Sequence, residues 1–158
     1  MIIICDSSPL IALSIIDKLD LLTILFKDVF VPVSVFNEVS KQGKPESQRI
    51  AEWAQDKVTA TIHKQLMQSF SLLLDVGESE AMSLYFEKKA DFLLIDEKKG
   101  RKIAVYNNMN VVGSLGVLLL AKQKGLIALI KPLLDKLQQS YIRISNELYL
   151  KTLHLADE

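Results

Sequence analysis

Ile2-Ile3-Ile4-Cys5-Asp6-Ser7-Ser8-Pro9 is an apolar run cut off by an acid, two hydroxyls and a proline. Apolar residues without alternation describe a strand covered on both faces, the habit of parallel strands in α/β proteins. Ser8 before Pro9 offers an N-cap and a first-turn proline, so a helix is expected over residues 10–16. Phe92-Leu93-Leu94-Ile95-Asp96 repeats the pattern deeper in the chain.

Between and beyond these runs, strand and helix signals alternate. Strands are expected at residues 29–31, ended by Pro32, at 58–62 and at 110–112. Helices are expected at 19–26, at 33–41 with a stop at Gly43, at 47–55, at 78–89 after Gly77, at 98–107 and from Gly113 through Lys124. Amphipathic helices at 129–139 and 146–155 close the chain, and residues 63–75 carry no decisive period. The loop at 41–46 is the expected mobile segment. The alternation implies an α/β domain with a central parallel sheet of four to five strands flanked by helices, three layers in all. One domain over residues 1–158 is expected, its core at about 2–125 and its C-terminal helices at 129–155.

In such a sheet, ligands bind beyond the carboxyl ends of the strands. Asp6 and Asp96 stand there. Glu38 borders the apolar stripe of Val35 and Val39. Glu78 shares a helix face with Ala81, Met82 and Tyr85, whereas Glu80 falls on a strip with Ser83 and Glu87. Glu78 is therefore expected to face inward, and Glu80→Gln to be mild. Carboxylates converging on one cleft repel unless a hard divalent cation joins them, and Mg²⁺ or Mn²⁺ suits oxygen ligands. Each acid also has an ordinary reading: a strand-end Asp caps a turn, and a first-turn Glu complements the helix dipole. Spacing alone leaves the two open. One Cys and two widely separated His, His63 and His154, exclude a zinc site built on thiolate and imidazole.

Composition narrows the classes further. The 19 basic and 19 acidic residues balance, so nucleic-acid contact requires a local patch. Lys98, Lys99, Arg101 and Lys102 supply one directly after Asp96, although helical geometry sets Arg101 opposite Lys99. Tyr106 is the nearest aromatic for base stacking. No apolar stretch approaches the roughly 20 residues of a membrane span, and no signal peptide is evident. A cytoplasmic location is the expectation.

The stretches Ile4 to Leu13, Val31 to Val39, Gly77-Glu78-Ser79-Glu80-Ala81, Leu93 to Arg101 and Gly113-Ser114-Leu115-Gly116-Val117-Leu118 together resemble the PIN-domain ribonucleases, known mostly as VapC-type toxins of toxin–antitoxin pairs. The likeness runs over roughly residues 2–125, and its last segment resembles a branch of PIN-like nucleic-acid-binding proteins. It implies a PIN fold, Mg²⁺- or Mn²⁺-dependent endoribonuclease activity by metal-activated water, and an antitoxin partner. It also implies catalytic, metal-binding acids at Asp6, Glu38, Glu78 and Asp96, with Ser8 steadying Asp6. A phosphorylated receiver would need an acidic pair after the first strand, and Asp6 stands alone. An Asp-x-Asp phosphatase is opposed by Ser8 at the second position. A catalytically silent RNA-binding or dimerisation module is the alternative. The apolar stripe at 146–155 suggests a homodimer seam, so deleting residues 141–158 is expected to disturb association more than folding.

Overall fold

The computed structural model describes residues 1–41 and 43–158. Gln42, inside the expected mobile loop, lies outside the described residues. In chain order the elements are β1 (Ile2–Cys5), α1 (Ser7–Ile15), α2 (Asp20–Leu25), β2 (Asp28–Pro32), α3 (Val33–Val39), α4 (Pro45–Ala54), β3 (Val58–Thr59) and α5 (Lys64–Ser71). Then come α6 (Val76–Glu87), β4 (Phe92–Leu94), α7 (Lys98–Tyr106), β5 (Val111–Val112), α8 (Ser114–Gln123), α9 (Lys131–Gln139) and α10 (Asn146–Leu155). The sheet has five parallel strands in the order β3-β2-β1-β4-β5. No helix among the described residues is long and apolar enough to cross a membrane.

Alternation along β1 builds the three layers. Ile3 and Cys5 enter one core with Leu10, Leu13, Val35, Ile50 and Leu118, whereas Ile4 joins Met82, Leu84, Leu93 and Ala104 on the other face. All four residues expected to be strand-like at 2–5 are so, and three of them are wholly buried. The strand expected at 58–62 shrinks to Val58–Thr59, because Thr61 turns inward to hydrogen-bond Ser83 and Glu87. The undecided stretch contains a helix, α5, anchored by Phe70. Helix α1 begins at Ser7, ahead of the expected start, so Asp6 rather than Ser8 occupies its N-cap position.

One acid behaves differently from expectation. Glu80 is 4% exposed, as buried as Glu78. It accepts the Ser34 N–H at 2.8 Å and the Thr61 N–H at 3.2 Å, and the Ser34 hydroxyl hydrogen-bonds the same carboxylate. These partners belong to α3 and the segment after β3, out of reach of any helical-face argument. Glu80→Gln, expected to be mild for activity, therefore carries a cost in stability. It puts an amide N–H₂ where donors already converge and is expected to cost about 2 kcal/mol, read as a lower denaturation midpoint with an unchanged m-value.

The C-terminal helices are tied into the domain. Leu153 and Ala156 sit in the first core, and Tyr149 packs against it. The Tyr149 hydroxyl donates to Asp135 of α9, and the Tyr141 hydroxyl to buried Glu46 at the start of α4. Removing residues 141–158 strips these core contacts, so the deletion is expected to lower stability as well as any effect it has on association. Glu158 accepts the Ile130 and Lys131 N–H groups at 2.6 and 2.8 Å and pairs with Lys122 at 2.6 Å. Although partial burial opposes ionisation, these partners together hold its carboxyl down at about 2. A depressed folded-state value adds stability that is complete above the unfolded carboxyl range and disappears as pH falls through about 2. Glu158→Gln is expected to lower the melting temperature at neutral pH, in keeping with a lost cap of about 1 kcal/mol, and to flatten the pH dependence of stability between about 4.5 and 2.

Candidate active site

Asp6 and Asp96 emerge from neighbouring strands. β1 pairs with β4 through Cys5 and Leu94, and the Asp6 N–H donates to the Leu94 carbonyl at 2.9 Å. The Asp6 side chain is 2% exposed and caps no turn of α1. Burial pushes its carboxyl up to about 7; the Ser7 N–H opposes the rise, and Glu78, Asp75 and Glu38 add to it. Cys5 is fully buried and its thiol is pushed well above its usual range, which removes it as a nucleophile.

The opposite wall comes from the N-terminus of α6. Asp75 caps this helix, accepting the Glu78 N–H at 2.8 Å, while Glu78 reaches back to the Asp75 N–H at 3.3 Å, a complete capping box. Burial and the adjacent Asp75 carboxylate raise the Glu78 carboxyl. Gly77, expected just ahead of the helix, lies in its first turn. A methyl group there would stand 3.4 Å from Glu38 Oε2 and 3.5 Å from Asp75 Oδ1, so these two acids flank one bare backbone position. Glu38 itself is exposed on α3. Asp75 is a site acid that the sequence reading missed, although Asp-x-x-Glu at 75–78 is a capping-box signal.

Asp96 has a different environment. Its Oδ1 accepts the Ser114 N–H at 2.8 Å, at the start of α8. Burial raises its carboxyl, against the pull of Ser114 and the Arg101 guanidinium. Arg101 donates from Nη1 to the Ile95 carbonyl at 2.8 Å. Asp6, Glu38, Asp75 and Glu78 thus form one acidic wall, and Asp96 stands on the next strand among Ser114 and Arg101. Among the described residues, no three acids, cysteines or histidines converge into a ready-made ligand set.

The basic run after Asp96 divides as helical geometry requires. Lys98, Arg101 and Lys102 line a cavity of about 400 Å³ with Asp96, Val105 and Val111. Lys99 is not in that lining and acts instead on Glu78. Tyr106 is 89% exposed and outside the lining.

The donor set suits a hard divalent ion. Every candidate group is a carboxylate oxygen, Asp6 and Glu78 are buried beside other acids, and none of the five acids forms an ion pair with Lys or Arg among those found in the described residues.

No curated protein and no solved structure matches the chain. The family model DUF3368, described as a PIN domain, matches residues 2–158 and so includes α9 and α10 as well as the stretches at 2–125. The five-stranded parallel sheet between helical layers agrees with it, and the chain belongs to the PIN-domain family.

Proposed function

We propose that this PIN domain is a Mg²⁺- or Mn²⁺-dependent endoribonuclease and the toxin of a toxin–antitoxin pair, with a cognate antitoxin and a second copy of itself as partners. The observation that carries the reading is Asp6: a buried carboxylate at a strand end, with three further acids acting on it. A buried charge facing like charges is costly unless a cation joins the site. Asp6, Glu38, Glu78 and Asp96 would hold the ion, and Asp75 stands close enough to contribute. Bound there, Mg²⁺ or Mn²⁺ would supply the acidity that activates water and the charge that stabilises the leaving oxygen.

The chain's own residues do the rest. Ser114 fixes the Asp96 carboxylate, and the Asp75–Glu78 capping box fixes the acidic end of α6. Lys98, Arg101 and Lys102 hold RNA phosphates beside them. Water as the nucleophile makes the 2′-hydroxyl dispensable and leaves a 5′-phosphate. An oligoribonucleotide with one 2′-deoxy substitution is therefore expected to be cut at that position in Mn²⁺. Failure of that cleavage, or a 2′,3′-cyclic phosphate product, overturns the mechanism. Glu78→Gln is expected to remove the cleavage without unfolding the protein. The toxin assignment is tested by expression in cells: growth arrest is expected with the intact chain and not with Glu78→Gln.

One observation favours the second reading, a silent RNA-binding or dimerisation module: the acids do not form a closed ligand set among the described residues. RNA binding without Mn²⁺-dependent cleavage would establish it.

A further inference from the structure

A second cavity, of about 350 Å³, opens on the other side of Asp96 and Arg101. Its walls are β5, α8 and α10, and it shares Asp96, Arg101 and Val111 with the basic cavity. The two hollows therefore meet at one candidate catalytic acid and one guanidinium. One carries Lys98 and Lys102 beside Val105 and Val111. The other has Leu115 and Leu119 from α8 and Leu148 and Leu155 from α10, with Lys151 of α10 also in its wall. Leu148 and Leu155 are 45% and 57% exposed, apolar surface that nothing in the fold covers.

We propose that this second cavity is the base subsite of the nuclease, taking one unpaired base of an RNA strand whose phosphates lie on Lys98, Arg101 and Lys102. The inference rests on the nuclease reading of the same site. Charge selects the occupant. A nucleotide is an apolar ring tethered to an anion, and both hollows set aliphatic walls beside cations, Lys98 and Lys102 in one, Lys151 in the other and Arg101 between them. A wholly apolar peptide would leave the lysines unmatched. Arg101, with one edge held by the Ile95 carbonyl, keeps donors free at the junction where a base and its phosphate separate. The volume is sufficient for one base and its sugar.

The test is a two-by-two comparison of equilibrium binding by fluorescence anisotropy, in chelator so that nothing is cut. The proteins are the wild type and the double variant Leu148→Ser/Leu155→Ser, at exposed positions where folding tolerates change. The probes are a labelled oligouridylate and a ribose-phosphate strand of equal length without bases. The wild type is expected to prefer the oligouridylate by about tenfold, on the order of what burying part of one base against aliphatic side chains contributes. The double variant is expected to lose that factor on the oligouridylate and nothing on the baseless strand, with an unchanged salt dependence because the phosphate contacts remain. Equal loss on both probes overturns the proposal, as does no loss on either, which would leave the cavity to a protein segment. If the double variant unfolds, Leu155→Lys alone is put through the same comparison. Wild-type cleavage in Mn²⁺, measured separately, reads the nuclease assignment: base-dependent binding without cleavage keeps the subsite and discards the enzyme.

Discussion

Replacing Asp6 by Asn is expected to abolish RNA cleavage and, in chelator, to raise the melting temperature. The two effects share one cause. Asp6 is buried beside other acids and forms no ion pair among those found in the described residues. Its carboxyl is raised from the ordinary 3.8 to about 7, so the unfolded chain ionises more readily than the folded one between those values. The folded state therefore loses stability as pH rises through that window. Asparagine keeps the shape and removes the charge, which restores stability on the order of 3 kcal/mol at neutral pH. Divalent metal should do the same for the wild type by binding the folded state alone, worth about 2.7 kcal/mol at a hundredfold excess over Kd. Asp6→Asn should lose that metal-dependent rise, and its activity should fall by more than the ~10–100-fold seen when groups outside a metal's immediate ligands are changed. Calorimetry in EDTA and in Mn²⁺ reads both limbs. A variant that melts lower than wild type in EDTA, or still rises with Mn²⁺, contradicts the account.

Gly113→Ala should be nearly as damaging to activity without touching any acid. A methyl group at Gly113 would stand 2.6 Å from Asp96 Oδ1 and 3.1 Å from Arg101 Nη1. Both atoms end side chains, so the backbone can stay while the carboxylate and the guanidinium swing away. That loses the 2.8 Å bond from the Ser114 N–H and moves Asp96 off the mouth it shares with the two cavities. Misplacement by about 1 Å can cost a hundredfold in rate, and a loss of at least that size is expected in kcat/KM. Stability should drop by about 1 kcal/mol, since glycine is the better residue at this N-cap position. Full activity in a folded Gly113→Ala protein would mean that the Asp96 carboxylate is not used where it stands.

The central strands were readable because nothing nonlocal is needed to recognise them. Ile2 to Cys5 and Phe92 to Leu94 are apolar without a period, and each runs into an acid. Helix α10 matches its expected bounds because Ser145 caps it and its apolar stripe is unbroken. The inward turn of Glu78 followed from helical spacing. The burial of Glu80 did not, since its partners Ser34 and Thr61 lie 46 and 19 residues away, and tertiary placement alone brings them to it. Asp75 was missed for another reason. Residues 63–75 lack an apolar period, and without one the Asp75-to-Glu78 spacing is too common a pattern to mark a helix start by itself. The division of the basic run was legible from the 100° step of a helix, but the aliphatic cavity was not. It needs α10 folded back against α8, a pairing that no local pattern announces.

The strand order has a consequence for how the protein comes into being. β1 is made first and pairs with β2 after two short helices, yet its other edge waits for β4, and the Ile2 N–H reaches the Asp91 carboxylate across 89 residues. Contacts that distant form late in folding, because the long loop must close before anything rewards the closure. Asp6 therefore leaves the ribosome long before Asp96, and Asp96 is not fixed until Ser114 follows it. Asp6, Glu38, Asp75 and Glu78 all precede Asp96 in the chain, so the candidate site lacks its fifth acid until the segment that carries Ser114 has been made.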